Sequence, residues 1–178
     1  MQQAVLFLAD AFLGFFTALF LLRFFMQWMR VSFAGPLGQF VVKLTNWAVM
    51  PLRRVVPGLF GVDLASLVAA ILLQLALVAF SFAWLGRMPA VDGWTLAALF
   101  AWATVLGLLR LCLHLLIGVL IIQAVLSWVA PHSPLAGPLN QITRPLLTPI
   151  RRILPPISGI DLSPLIAIVL AQALLFLL

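Results

Sequence analysis

One pattern of proline, arginine, glycine and aspartate is written twice in this chain, 98 residues apart, and it constrains the fold more than any other feature. The first copy sets Pro36, Thr45, Pro51, Arg53-Arg54, Pro57, Gly61 and Asp63 ahead of an apolar run that begins at Leu64. The second sets Pro134, Thr143, Pro149, Arg151-Arg152, Pro155, Gly159 and Asp161 ahead of a run that begins at Leu162, and no gap is needed between the anchors. So many turn formers and charges in one register identify an internal duplication. Each copy also places an arginine pair shortly before an apolar helix, which locates it relative to a membrane.

Composition supplies the membrane. The chain is 65% hydrophobic and 8% charged, with a mean hydropathy of +1.25. A soluble protein of 178 residues lacks the polar surface to cover so much apolar side chain. The net charge is +6, but seven of the ten basic residues (Arg30, Lys43, Arg53, Arg54, Arg144, Arg151, Arg152) fall between apolar spans. That distribution points to orientation and anionic-lipid contact, not nucleic-acid binding. The single cysteine, Cys112, lies in an apolar run and offers neither a disulfide nor a thiolate metal site within one chain. No Lys or Arg precedes the first apolar run, so a cleavable signal peptide is not expected.

The runs define an all-α membrane protein. Residues 4–29 are long enough to span, since about 20 residues suffice. In residues 37–49, Leu37, Phe40, Val41, Leu44, Ala48 and Val49 recur at helical spacing, with Gln39, Lys43 and Asn46 opposite. That is an amphipathic helix, most simply lying in the interface. A second span covers residues 64–85. The run from Trp94 to Ala130 is too long for one upright helix, reaching over about 50 Å against roughly 30 Å of hydrocarbon. Aligning Trp28 with Trp128 sets Asp10 level with Arg110, so the matching span is expected to begin near Gly107. Residues 94–106 are then an outer interfacial element, a single strongly tilted helix being the alternative. The last span, residues 162–178, is short. The reading is therefore two tandem repeats, 1–86 and 107–178, joined by an outer segment, 87–106. Each repeat has two transmembrane helices flanking a cytoplasmic amphipathic helix, four spans in total.

Both basic segments then face one side, with only Arg87 in the outer loop. The positive-inside rule makes that side cytoplasmic and puts both termini outside. An even number of spans per copy relates the copies by an axis along the membrane normal, not by inversion.

The string RFFMQWMRVSFAGPLGQFVVKLTNWAVMPLRRVVP with the following GVDLASL, and its counterpart SWVAPHSPLAGPLNQITRPLLTPIRRILPPISGIDLSPL, resemble the YggT family (also called YlmG). The resemblance covers both halves. The first copy departs from the commoner form, with Trp47 where the second has Pro145 and Ala65-Ser66 where it has Ser163-Pro164. The resemblance implies a bacterial inner-membrane protein with plastid relatives. Those relatives are linked to division, nucleoid distribution, cofactor assembly on cytochromes and osmotic tolerance, with no agreed biochemical activity.

The arginine pairs Arg53-Arg54 and Arg151-Arg152, with Lys43 and Arg144, are the first candidates, as sites for lipid headgroups or a partner through bidentate guanidinium–phosphate contact. The bland alternative is that they fix topology and snorkel to the headgroups. Pro51, Pro57, Pro149 and Pro155 bracket the pairs and mark structural elbows. Asp63 and Asp161 are placed either to pair with the second arginine or to cap the next helix, and capping is the simpler reading. Within the spans, Asp10 and Arg110 form a candidate charge link between repeats, or else lie wet at the outer interface. Arg23 can serve a function or snorkel, and Gln123 is its counterpart. Gln74 and Gln172 match in register and are expected to bond across helices. His114 reads as a hydrogen-bonded packing residue.

His114 and His132, without carboxylates at ligand spacing, provide no metal or haem site, and no cofactor is expected. The chain has four Asp and no Glu, a poor stock for acid–base chemistry, and no nucleophile–base constellation is visible. A non-enzymatic membrane organiser is the expectation, with anionic membrane lipid as partner. A protein partner in the membrane or cytoplasm and self-association stay open. The rival is a small channel or transporter lined by Arg23, Gln74, Gln172 and His114.

Overall fold

A computed structural model describes the chain except residues 57, 59–61, 87–88, 131–132 and 154–160. The described residues form six α-helices and no strand: α1 (Gln2–Trp28), α2 (Pro36–Val55), α3 (Leu64–Trp84), α4 (Gly93–Val129), α5 (Ala136–Ile153) and α6 (Ser163–Leu177). Three of them, α1, α3 and α4, are long and apolar enough to cross a membrane. At 15 residues, α6 reaches only about 22 Å.

Local chemistry sets the helix ends. Val31 N–H reaches back to Met26 O at 2.7 Å and Arg30 N–H to Gln27 O at 3.0 Å, a Schellman-type stop after α1. Arg30 takes the left-handed position usual for glycine, with φ of 55°. Gly35 and Pro36 start α2, because proline at the first helical position forfeits only an N–H that would be unbonded anyway. That helix ends at Val56, whose extended backbone is what a following proline demands. Pro51, Pro145 and Pro149 lie inside α2 and α5, so Pro51 and Pro149 are not themselves breaks. Pro51 and Pro149 each remove one hydrogen bond toward the end of their helix and Pro145 one in the middle of α5, losses that the remaining turns tolerate. Pro57 and Pro155 fall outside the described residues.

The expected break near Gly107 does not occur. Asp92 caps α4, accepting from Thr95 N–H at 3.0 Å and Thr95 Oγ1 at 2.6 Å, and the helix runs unbroken for 37 residues. One glycine costs a helix about 1 kcal/mol, too little to interrupt so long a run of helix formers. The N-terminal turns of α4 also pack on α3, with the Phe82 and Phe100 rings edge to face at 5.4 Å. Gly107 is instead a packing point, since the Gln74 side-chain amide occupies the space a Cβ there would take.

The helices pack as α1, α2 and α3 against one another, and as α4, α5 and α6 against one another, with α4 also touching α1 and α3. Small residues Ala65, Ala69 and Ala70 of α3 let it approach Phe20 and Leu21 of α1 closely. On α2 the buried seam is Gly38, Val41, Thr45 and Val49, while Phe40, Trp47 and Met50 stay exposed. The amphipathic pattern thus resolves into a protein-facing seam and an exposed apolar flank, with Lys43 and Arg54 exposed beside it.

Candidate functional site

The two arginine-bearing segments are built differently from the same pattern. In the first, Arg53 grips Asp63 with both ends of its guanidinium, Nε to Oδ1 at 3.2 Å and Nη2 to Oδ2 at 2.7 Å. Ser66 Oγ donates to the same Oδ2 at 2.7 Å, and Arg23 Nε lies 3.4 Å from it. Arg23 Nη1 donates to Thr45 Oγ1 at 2.7 Å and to Asn46 Oδ1 at 2.9 Å. Three elements, α1, α2 and the start of α3, are tied by one carboxylate. The side chains of Arg23 and Asp63 are only 6% and 2% exposed, against 46% for Arg53.

Arg23 therefore does not snorkel; it turns inward. Asp63 makes no side-chain cap and pairs instead with the first arginine of its pair, not the second. Phase on α2 explains the choice, because Arg53 projects toward the chain returning into α3 while Arg54, 100° further round, projects outward. Burial opposes ionisation of Asp63, but the bonds from Arg53 and Ser66 and the nearby arginine charges outweigh it, holding the carboxyl below the ordinary range.

The second copy separates these links. Arg151 pairs with Asp161, Nε to Oδ2 at 2.9 Å, with both side chains about a third exposed (35% and 36%). Asp161 also accepts from Ser163 N–H at 2.9 Å, so here pairing and capping coexist, and its carboxyl too is held low against the opposing effect of burial. Gln123 takes the place of Arg23 and accepts from Thr143 Oγ1. The first cluster thus carries two cations on one anion and the second is balanced. Sequence reasoning missed Thr45, Asn46, Ser66 and Thr143 as partners, although Thr45 and Thr143 were already visible as repeated anchors.

What remains is an outward set. Lys43, Arg54, Arg144 and Arg152 are exposed and bond to none of the described residues. Arg144 and Arg152 border a groove of about 560 Å³ with Gln141 and Thr148 on α5. Gln141 is committed to the end of α1, donating to Met29 O at 3.1 Å and Arg30 O at 3.2 Å.

The intramembrane candidates fare unevenly. Asp10 and Arg110 line a common cleft of about 550 Å³ with Gln74, Gly107 and His114, but no ion pair joins them within 4 Å. Arg110 instead donates to the Leu178 carbonyl. Gln74 is buried against Gly107 and Gln172 is exposed, and neither side chain hydrogen-bonds among the described residues, contrary to expectation. Register matches their depth, but the two amides sit on α3 and α6, which both pack on α4 and not extensively on each other. His114 Nδ1 is 2.7 Å from Arg110 O within α4, a bond inside its own helix. No group of three or more metal-ligating side chains occurs among the described residues.

An all-α protein with three apolar helices long enough to cross a bilayer has the make-up of an integral membrane protein. More particularly, the CCB3/YggT family profile matches residues 2–84 and 102–178, and the chain belongs to that family. It is 38% identical to the YggT protein of Escherichia coli K12, over 95% of this chain and 86% of that one. It is 39% identical to protein PA0392 of Pseudomonas aeruginosa, over 94% and 84% respectively. Identity is 34% to a Vibrio alginolyticus protein encoded in the proC 3' region, over 93% and 88%. No solved structure matches the chain.

Proposed function

We propose that this is a non-enzymatic membrane protein that holds two basic elbows at the cytoplasmic surface and uses them to engage anionic lipid headgroups or an acidic partner. The observation that carries the reading is the division of labour within each arginine pair. Arg53 and Arg151 are spent on Asp63 and Asp161, while Arg54 and Arg152 are exposed and have no partner among the described residues. Topology determination alone needs charge, not this sorting. In this reading α6 is a fourth, short span, and the α1–α3 and α4–α6 units are tandem repeats about an axis along the membrane normal. The basic elbows face the cytoplasm of a bacterial inner membrane, with both termini outside. Its place is in organising membrane assemblies such as those of division, cofactor assembly or envelope stress.

The test compares a variant neutralising the outward set (Lys43→Gln, Arg54→Gln, Arg144→Gln, Arg152→Gln) with the native protein in vesicles of mixed phosphatidylglycerol and phosphatidylethanolamine. Lipid enrichment around the protein is read by energy transfer from its tryptophans. Loss of phosphatidylglycerol enrichment is expected; unchanged enrichment refutes the lipid role.

A second reading, a small channel or transporter in ion flux or osmotic tolerance, draws on the cleft lined by Asp10, Gln74, Arg110 and His114. Intramembrane charge at a cavity is the usual mark of a pathway. Solute or ion flux in proteoliposomes that Gln74→Leu abolishes supports it, and absence of flux removes it.

A further inference from the structure

Beside the basic groove on α5 lies a slot that is almost wholly apolar. The slot, about 460 Å³, lies between Leu22 and Phe25 of α1 and Leu113, Leu116 and Val119 of α4. Met29 and Pro145 line both cavities and form their common wall. On the groove side of that wall stand Arg144 and Arg152, exposed and without partners among the described residues, about two turns apart on α5. Thr148 Oγ1 is already donating to Arg144 O at 2.7 Å, so the arginines are the donors left to an anion. Unpaired guanidinium groups beside a lipid-depth apolar channel match a molecule with an oxyanion at one end and a hydrocarbon chain at the other.

The two copies differ at this point. In sequence register Pro145 corresponds to Trp47, and Arg144 to Asn46. Trp47 lays its indole against α1, at 6.0 Å from the Phe16 ring and 6.2 Å from the Phe20 ring. Asn46 turns inward to accept from Arg23. The first copy lays an exposed indole over α1 at this position and uses the neighbouring polar group internally. The second has a proline, which is too small to fill the space, and an outward arginine.

We propose that the slot between α1, α4 and α5 is a specific site for one anionic glycerophospholipid of the leaflet that the elbows face. One acyl chain lies along Leu113–Val119 and the phosphate meets Arg144 and Arg152. The site rests on the elbow reading for its headgroup half and on the slot alone for its chain half. Those halves separate by mutation. Pro145→Trp imports the first copy's indole without changing any charge, and it restores a helical N–H to α5, so it suits the helix. Leu116→Trp blocks the same slot from α4.

The experiment is native mass spectrometry of the detergent-purified full chain titrated with phosphatidylglycerol and phosphatidylethanolamine. Native protein is expected to retain one phosphatidylglycerol in preference. Pro145→Trp and Leu116→Trp are each expected to weaken that retention by about tenfold or more, since the buried methylenes lose their site. Arg144→Gln with Arg152→Gln is expected to abolish the preference for the anionic headgroup. If both plugged variants retain the lipid as the native chain does, the slot is refuted while the elbow reading stands. If water-soluble glycerophosphoglycerol competes as well as the full lipid, a headgroup-only site replaces the one proposed. If Arg54→Gln alone removes retention, the lipid sits on the elbow and not in the slot.

Discussion

Replacing Asp63 with Asn isolates the carboxylate that joins α1, α2 and α3. The substitution keeps shape and removes charge, leaving Arg23 in a site where its side chain is 6% exposed. Removing one partner of a buried ion pair costs about 3–5 kcal/mol, because the other charge stays desolvated. The Arg53 share is small, since a pair with one side chain 46% exposed is worth about 1 kcal/mol or less. The estimate for Asp63→Asn is therefore about 3 kcal/mol, nearly all of it from Arg23. Asp161→Asn breaks a pair in which both groups are about a third exposed, and about 1 kcal/mol is expected. Arg23→Gln should be mild, because Gln123 shows that glutamine can hold the matching threonine, and Asp63 keeps Arg53 and Ser66. Thermal unfolding in a mild detergent reads all three. For a chain of this length about 1 kcal/mol moves the midpoint by roughly 2–4 °C, so Asp63→Asn should lose roughly 6–12 °C and Asp161→Asn roughly 2–4 °C. Combining Arg23→Gln with Asp63→Asn should recover most of the loss. Equal shifts for the two aspartates, or no recovery in the double variant, refute the argument that the buried cation sets the cost.

Four further expectations follow from the structure. Because the Asp63 carboxyl is held below its unfolded value of about 3.9, its contribution to stability is complete above about pH 4 and is lost as pH falls through the lower folded value. Melting midpoints taken from about pH 6 down to about pH 3 should fall at the acid end, and Asp63→Asn should flatten that fall. Arg30→Gly relieves a left-handed backbone at an exposed position whose side chain bonds to none of the described residues, and should raise stability by about 1 kcal/mol or a little less, read as a higher midpoint. Gly38→Ala drives a Cβ into the Phe33 backbone, whose carbonyl carbon and oxygen would lie 2.7 Å away, and should cost about 1–3 kcal/mol. Gly107→Ala meets only the flexible end of Gln74, and its helix gain of about 1 kcal/mol should leave it near neutral in the same assay.

Helical phase within a segment was legible from the residues, and partners from distant segments were not. The apolar spacing of Val41 and Val49 marked the buried side of α2, and Pro36 marked its start. The same spacing left Phe40 unplaced, because exposed apolar side chains on a membrane protein satisfy the same pattern as buried ones. That an arginine and an aspartate meet at each elbow was one of two readings; which arginine does so depends on the path of the intervening loop. Arg23 looked able to snorkel by its depth, and only folding brought Thr45, Asn46 and Asp63 around it. The break expected near Gly107 came from register with the first repeat and the length of the run, whereas α4 runs through it and the glycine makes room for Gln74. Asp10 and Arg110 were set level by register, yet equal depth on two helices does not bring two side chains within bonding reach.

The central claim is that the outward arginines of both elbows stand at one membrane surface. Arg54→Cys and Arg152→Cys, each in a chain with Cys112 replaced by alanine, report on it directly through a membrane-impermeant maleimide. Both positions should label in inverted inner-membrane vesicles and stay unlabelled in intact cells with a permeabilised outer membrane. Labelling of the two positions from opposite sides, or of both from the outside, would contradict the account.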